Sequence, residues 1–193
     1  MNNSDMYPTP LDEIRELLQA FQEGYARRDI TQIDRFMELF TAEAEIIGTN
    51  GVRPGQDEWY MDRLSARELV QADWEGWGDL RLDWDTVSIH RQGFVGWVAA
   101  AATVTQTIGA ENYASYLESV KKFIEDSDLS AEQKLLYILR GGTNTLYELR
   151  RGEKFVWCLR LTAVVVREEG RWKFAQMNFS FPTIYFPDVR LIE

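Results

Sequence analysis

A chain of 193 residues with 45% hydrophobic side chains, among them seven Trp, ten Phe and eight Tyr, has the material for one domain with a sizeable core. Its 31 acidic and 21 basic residues leave a net charge of −10, which opposes binding to nucleic acid or to an anionic membrane surface. A single cysteine, Cys158, excludes an intrachain disulfide, and one cysteine with one histidine excludes the common zinc sets.

No P-loop, G-x-G-x-x-G or calcium-loop pattern is present, so no metal and no cofactor is expected. The N-terminus MNNSDMYPTP has no basic region followed by an apolar run, and no apolar stretch approaches the ~18 residues of a membrane span. The expectation is a cytoplasmic protein. Cys158 lies in an apolar strand pattern and reads as a small buried filler.

Residues 1–10 read as a flexible lead-in. Thr9 is positioned to cap a helix with Pro10 in its first turn, and Leu11, Ile14, Leu17, Leu18, Phe21 and Tyr25 recur at helical spacing to about Arg28. A short second helix, capped by Asp29 or Thr31, carries Ile33, Phe36, Met37 and Phe40 on its apolar face. The extended stretch AEAEIIGTNG follows, and Asn50-Gly51 and Pro54-Gly55 mark turns. From Gln56 to about Asp73 the pattern is helical again, closed by Trp74, Gly76, Trp77 and Gly78.

Gln92-Gly93 reads as a hairpin turn between a strand near 80–91 and a longer one near 94–108. The alanines at 99–102 are assigned to strand, because β-formers flank them on both sides. Tyr113 to Ile124 and the segment from Ser130 to Leu139 then read as two helices ended by Gly141-Gly142. A loop follows over 143–154, with a helical turn at Leu146–Leu149. Finally, Phe155–Pro182 gives two long apolar strands around the turn Arg167–Arg171. Helices gathered before an antiparallel sheet make an α+β architecture, with 109–154 as a helical insertion between strands of a single domain.

Arg160, Thr162, Gln176, Asn178 and Ser180 recur at two-residue spacing in the last two strands, which puts each strand's set on one sheet face. With LLQAFQEGYARRDITQIDRFM and the Trp74–Trp97 region, the ending RLTAVVVREEGRWKFAQMNFSFP resembles the SnoaL-like group of the nuclear transport factor 2-like superfamily. The resemblance covers most of residues 11–108 and 155–182. It rests on Arg160, Thr162, Gly170, Trp172 and Ser180, while Asn178 stands where that pattern commonly has histidine. It implies a cone: a strongly curved antiparallel sheet wrapped around N-terminal helices, with a pocket at the open end and dimerisation through the outer face. The group includes isomerases, dehydratases, cyclases, ligand-binding domains and assembly modules, so fold alone does not decide function.

Arg160 is the first candidate site residue, because a guanidinium on an apolar strand can grip a carboxylate through paired hydrogen bonds. Its alternative role is a structural ion pair with Glu45 or Asp85. Gln176 and Asn178 are candidates to orient a ligand, or to form a polar ladder at a dimer interface, and Trp59 and Trp97 are candidate pocket walls. His90 reads as a surface imidazole, and Asp57, Glu58, Asp83 and Asp85 as carboxylates at element ends. The favoured reading is a homodimeric domain whose pocket binds a small apolar molecule with a polar or acidic group. The alternatives are an isomerase, dehydratase or cyclase using a buried carboxylate as base, and an assembly module without ligand.

Overall fold

The computed structural model describes residues 9–107, 111–126, 128–136, 138–139 and 154–181. Helix α1 spans Pro10–Arg27, and Thr9 opens it with a reciprocal cap: its hydroxyl accepts from the Asp12 amide while Asp12 accepts from the Thr9 amide. A 3-10 turn at Ile30–Gln32, capped by Asp29, leads into α2 at Ile33–Met37. Phe40, expected on that helix, instead opens strand β1 at Phe40–Ile47. The helix stops because the Leu39 carbonyl already accepts from the Phe174 amide, which commits the chain to sheet pairing.

The helix expected from Gln56 starts later. Trp59–Tyr60 form a short strand β2 against β1, and Asp62 caps α3 at Arg63–Gly76 by accepting from the Ser65 amide at 2.7 Å. The strand expected at 80–91 is two strands, β3 at Asp79–Leu82 and β4 at Ser88–Gln92. They are separated by a turn in which the Asp83 carbonyl accepts from the amide and hydroxyl of Thr86. β5 runs Val95–Thr107 and contains all four alanines. α4 occupies Glu111–Asp126, and a further helical stretch at 131–136 begins where Ser130 and Gln133 cap each other reciprocally. Most of the loop expected at 143–154 lies outside the described residues.

β6 at Lys154–Glu168 and β7 at Arg171–Ser180 form a hairpin closed by Glu169 and Gly170, with φ of 50° and 79°. Both turn residues need positive φ, the geometry that matches strand twist in a two-residue hairpin and the reason glycine serves at 170. The sheet order is β2-β1-β7-β6-β5-β3, with β4 on β5. One pairing departs from the expected antiparallel sheet, since β1 runs parallel to β7. Register shifts between Val164 and Val165 and between Phe40 and Glu45 break the ladder, and such irregularities bend and twist strands.

The chain divides into two compact units, Met1–Val104 with Trp157–Pro182 and Thr105–Val156 with Thr183–Glu193. The first holds the core. Phe21 on α1 sits at its centre, with the rings of Tyr25, Phe174 and Phe36 at 4.9, 5.6 and 5.8 Å. Across the hairpin, Leu161 faces Phe179 and Ala163 faces Met177, and all four are buried on the helix side. At the other end of α1, Glu13 accepts from the Trp172 indole at 3.0 Å and pairs with Arg167 at 3.4 Å, which ties the helix start to the hairpin turn. No helix among the described residues is long and apolar enough to cross a membrane.

Candidate functional site

The sheet has two chemically distinct faces. On the helix side, α1 presents Tyr25 and α3 presents Asp73, and the Tyr25 hydroxyl donates to Asp73 Oδ2 at 2.8 Å. Both positions follow from helical spacing. Tyr25 continues the buried stripe Ile14–Leu17–Leu18–Phe21, and Asp73 continues Ala66–Leu69–Val70 one turn further on. An acid is thereby carried into an apolar stripe.

Burial raises the Asp73 pKa from 3.8 to about 7; the Tyr25 hydrogen bond opposes that rise, and the charge of Glu58 adds to it. The Tyr25 phenol is itself pushed well above its usual range, by burial first and then by the Asp73 charge. Tyr60, opposite Ile46 on the same inner face, is raised by burial and by Glu68, Glu58 and Asp73 in turn, so it stays a neutral donor. Glu58 is fixed by the Asn50 amide and side chain, both at 2.9 Å. One turn beyond Asp73, Trp77 packs edge-on against Phe179 at 5.8 Å and supplies apolar wall.

A carboxyl titrating near neutrality populates both its forms at physiological pH, the condition for taking a proton in one step and returning it in the next. Among the described residues no group of three His, Cys, Asp or Glu side chains is placed to hold a metal ion.

The residues singled out from sequence lie on the other face. Direct pairing puts Arg160 with Ser180, Thr162 with Asn178 and Val164 with Gln176, at positions alternating with the buried Leu161 and Ala163. Through β1 the same face continues to Glu45, Ile47 and Trp59. Glu45 gathers part of this set: the Trp59 indole donates to one oxygen at 2.8 Å and the Gln176 amide to the other at 2.7 Å. Asn178 is half-buried beside them. Arg160 is exposed and makes no ion pair among the described residues, so neither the expected pair with Glu45 nor one with Asp85 forms.

Trp97 is 47% exposed and stacks on His90 at 5.6 Å, and the His90 ring meets Ser88 Oγ at 2.9 Å. Cys158, expected as a buried filler, is exposed as well, because it shares the parity of Arg160 rather than that of Leu159.

No family model and no curated protein sequence matches the chain. Solved structures do. A ketosteroid isomerase-like protein from Erwinia carotovora atroseptica aligns with a TM-score of 0.55 at 14% identity, covering 91% of this chain and 98% of its own. A protein named as a dehydratase of the nuclear transport factor 2-like family from Streptomyces avermitilis gives 0.55 at 12% identity, over 89% and 95%. A calcium/calmodulin-dependent protein kinase II association domain from Xanthomonas campestris gives 0.54 at 12% identity, over 98% and 99%. The fold is therefore the nuclear transport factor 2-like, cystatin-like cone.

Proposed function

We propose that this protein is a proton-transfer enzyme of the isomerase or dehydratase kind, acting on a small, uncharged carbonyl compound at the inner face of its sheet. The observation that carries the reading is the Asp73 carboxyl, held by Tyr25 and brought to a pKa of about 7. As carboxylate, Asp73 removes a proton from the carbon beside the substrate carbonyl. The proton it then holds returns to another carbon in an isomerisation, or leaves with a β-hydroxyl as water in a dehydration. Tyr60, kept protonated by burial and by the acids around it, is assigned as donor to the oxygen on which charge develops. Because the charged groups acting on Asp73 and Tyr60 are all carboxylates, the site disfavours an anionic substrate.

Two similar structures named as isomerase-like and dehydratase support the same reaction class. This reading ranks above a ligand anchored by Arg160 and Asn178, since those side chains project from the opposite face. The test is turnover of a panel of enolisable ketones and β-hydroxy carbonyl compounds. Asp73→Asn should lower kcat by about 10²- to 10⁴-fold. Turnover undiminished in that variant would reject the assignment.

The outer face supports a second, independent role as a homodimer interface. β5 and β6 are central strands, yet Trp97, Ala99, Arg160 and Thr162 are exposed on them, and an uncovered stretch of mixed apolar and polar residues there suits a second copy of the chain.

A further inference from the structure

Away from Asp73, two adjoining cavities run along the helix layer of the first unit. One, of about 360 Å³, is floored by Phe36 and Trp74 and rimmed by Ala20, Asp29 and the Glu23–Arg27 ion pair. The other, of about 610 Å³, lies between α2, the start of α3 and the β6–β7 turn, and includes Arg63 and Arg171. Arg35 and Leu39 line both, so the two form one trench. None of Tyr25, Glu58, Tyr60 or Asp73 lines either cavity. Each volume is in the range of small-molecule sites.

We propose that this trench is a second ligand site, for an aromatic phosphate monoester whose ring lies at the Phe36–Trp74 end and whose phosphate lies among Arg35, Arg63 and Arg171. At the ring end, the Phe36 and Trp74 rings give the cavity an apolar floor against which a ligand ring can pack.

At the other end, none of the three arginines makes an ion pair among the described residues, although the chain carries 31 acids. Among the described residues the only guanidinium bond there is a long one, 3.4 Å from Arg63 to the Phe40 carbonyl. Lys173 and Glu168 cancel each other at 2.8 Å, which leaves three guanidiniums facing Glu38 and Glu169. At this end the excess is one positive charge, in a chain of net charge −10. A tetrahedral dianion offers oxygens in several directions at once, which suits guanidiniums arriving from α2, α3 and β7 better than a planar carboxylate does.

Isothermal titration of the full chain with phenyl phosphate, inorganic phosphate and phenol tests this. Phenyl phosphate should bind at least about tenfold tighter than either fragment, and Arg35→Gln should weaken it by a similar factor. Ala20→Trp, at an exposed position on the aromatic end, should reduce phenyl phosphate to the affinity of inorganic phosphate. Phenyl phosphate binding no tighter than inorganic phosphate, or unchanged by both substitutions, would overturn the proposal.

Discussion

The Tyr25 hydroxyl donates to Asp73 Oδ2 at 2.8 Å across the interface of α1 and α3, joining two residues 48 positions apart. Burial in the apolar stripe of α3 leaves this acid titrating near neutral pH rather than near 3.8, and the bond only partly offsets that rise. That departure has consequences for stability as well as for chemistry.

In the unfolded chain Asp73 ionises near its ordinary value, whereas in the folded protein it keeps its proton to about pH 7. The folded state binds more protons across that window. Asp73 therefore favours folding most below about pH 4, and the contribution is lost as pH rises through 7. The shift caps the effect at roughly 4 kcal/mol, and the partial exposure of the residue brings the expectation to about 1–3 kcal/mol. Urea denaturation should find Asp73→Asn more stable than the parent at pH 8, with the gap closing by pH 4.

Gly24 faces Phe36 so closely that a Cβ there would overlap the ring. Replacing a helical glycine by alanine ordinarily gains about 1 kcal/mol of helix propensity. Here overpacking against a ring that is itself wedged between Phe21 and Trp74 should win, by about 1–3 kcal/mol in the other direction. Thermal unfolding of Gly24→Ala should show a lowered Tm; a raised Tm would mean that Phe36 moves aside freely.

If the outer face joins two copies, Trp97→Lys should break the dimer without unfolding the chain, because Trp97 is already half out of the protein. Light scattering at micromolar concentration should give a dimer for the parent and a monomer for the variant. A monomeric parent would remove the interface.

Much of the fold was legible because its signals are local. The Thr9 cap, the α1 stripe through Tyr25, and the alternation of Leu159, Leu161 and Ala163 against Arg160 and Thr162 each follow from backbone period and end chemistry. The short elements were not legible in the same way. Trp59 and Tyr60 pair with Ile47 and Ile46, and Phe40 begins a strand, through partners elsewhere in the chain.

The candidate site illustrates the same division. The polar row was correctly grouped on one face, but which face is covered depends on where the helices pack, and period-two spacing carries no information about that. The apolar neighbourhood of Cys158 predicts burial, whereas its parity with Arg160 points it outward. Asp73 carries no motif of its own, being one acid among many in a charged helix. Its signal was positional, since it lies three residues after Val70 and seven after Ala66 on the buried stripe.

The most direct test of the account is a ¹³C NMR titration of the Asp73 side-chain carboxyl in the parent and in Tyr25→Phe. The account predicts a midpoint near 7 in the parent, and a higher one in the variant, because the hydrogen bond it removes is the one that holds the value down. A parent midpoint near 4 would contradict it and leave Asp73 an ordinary carboxylate.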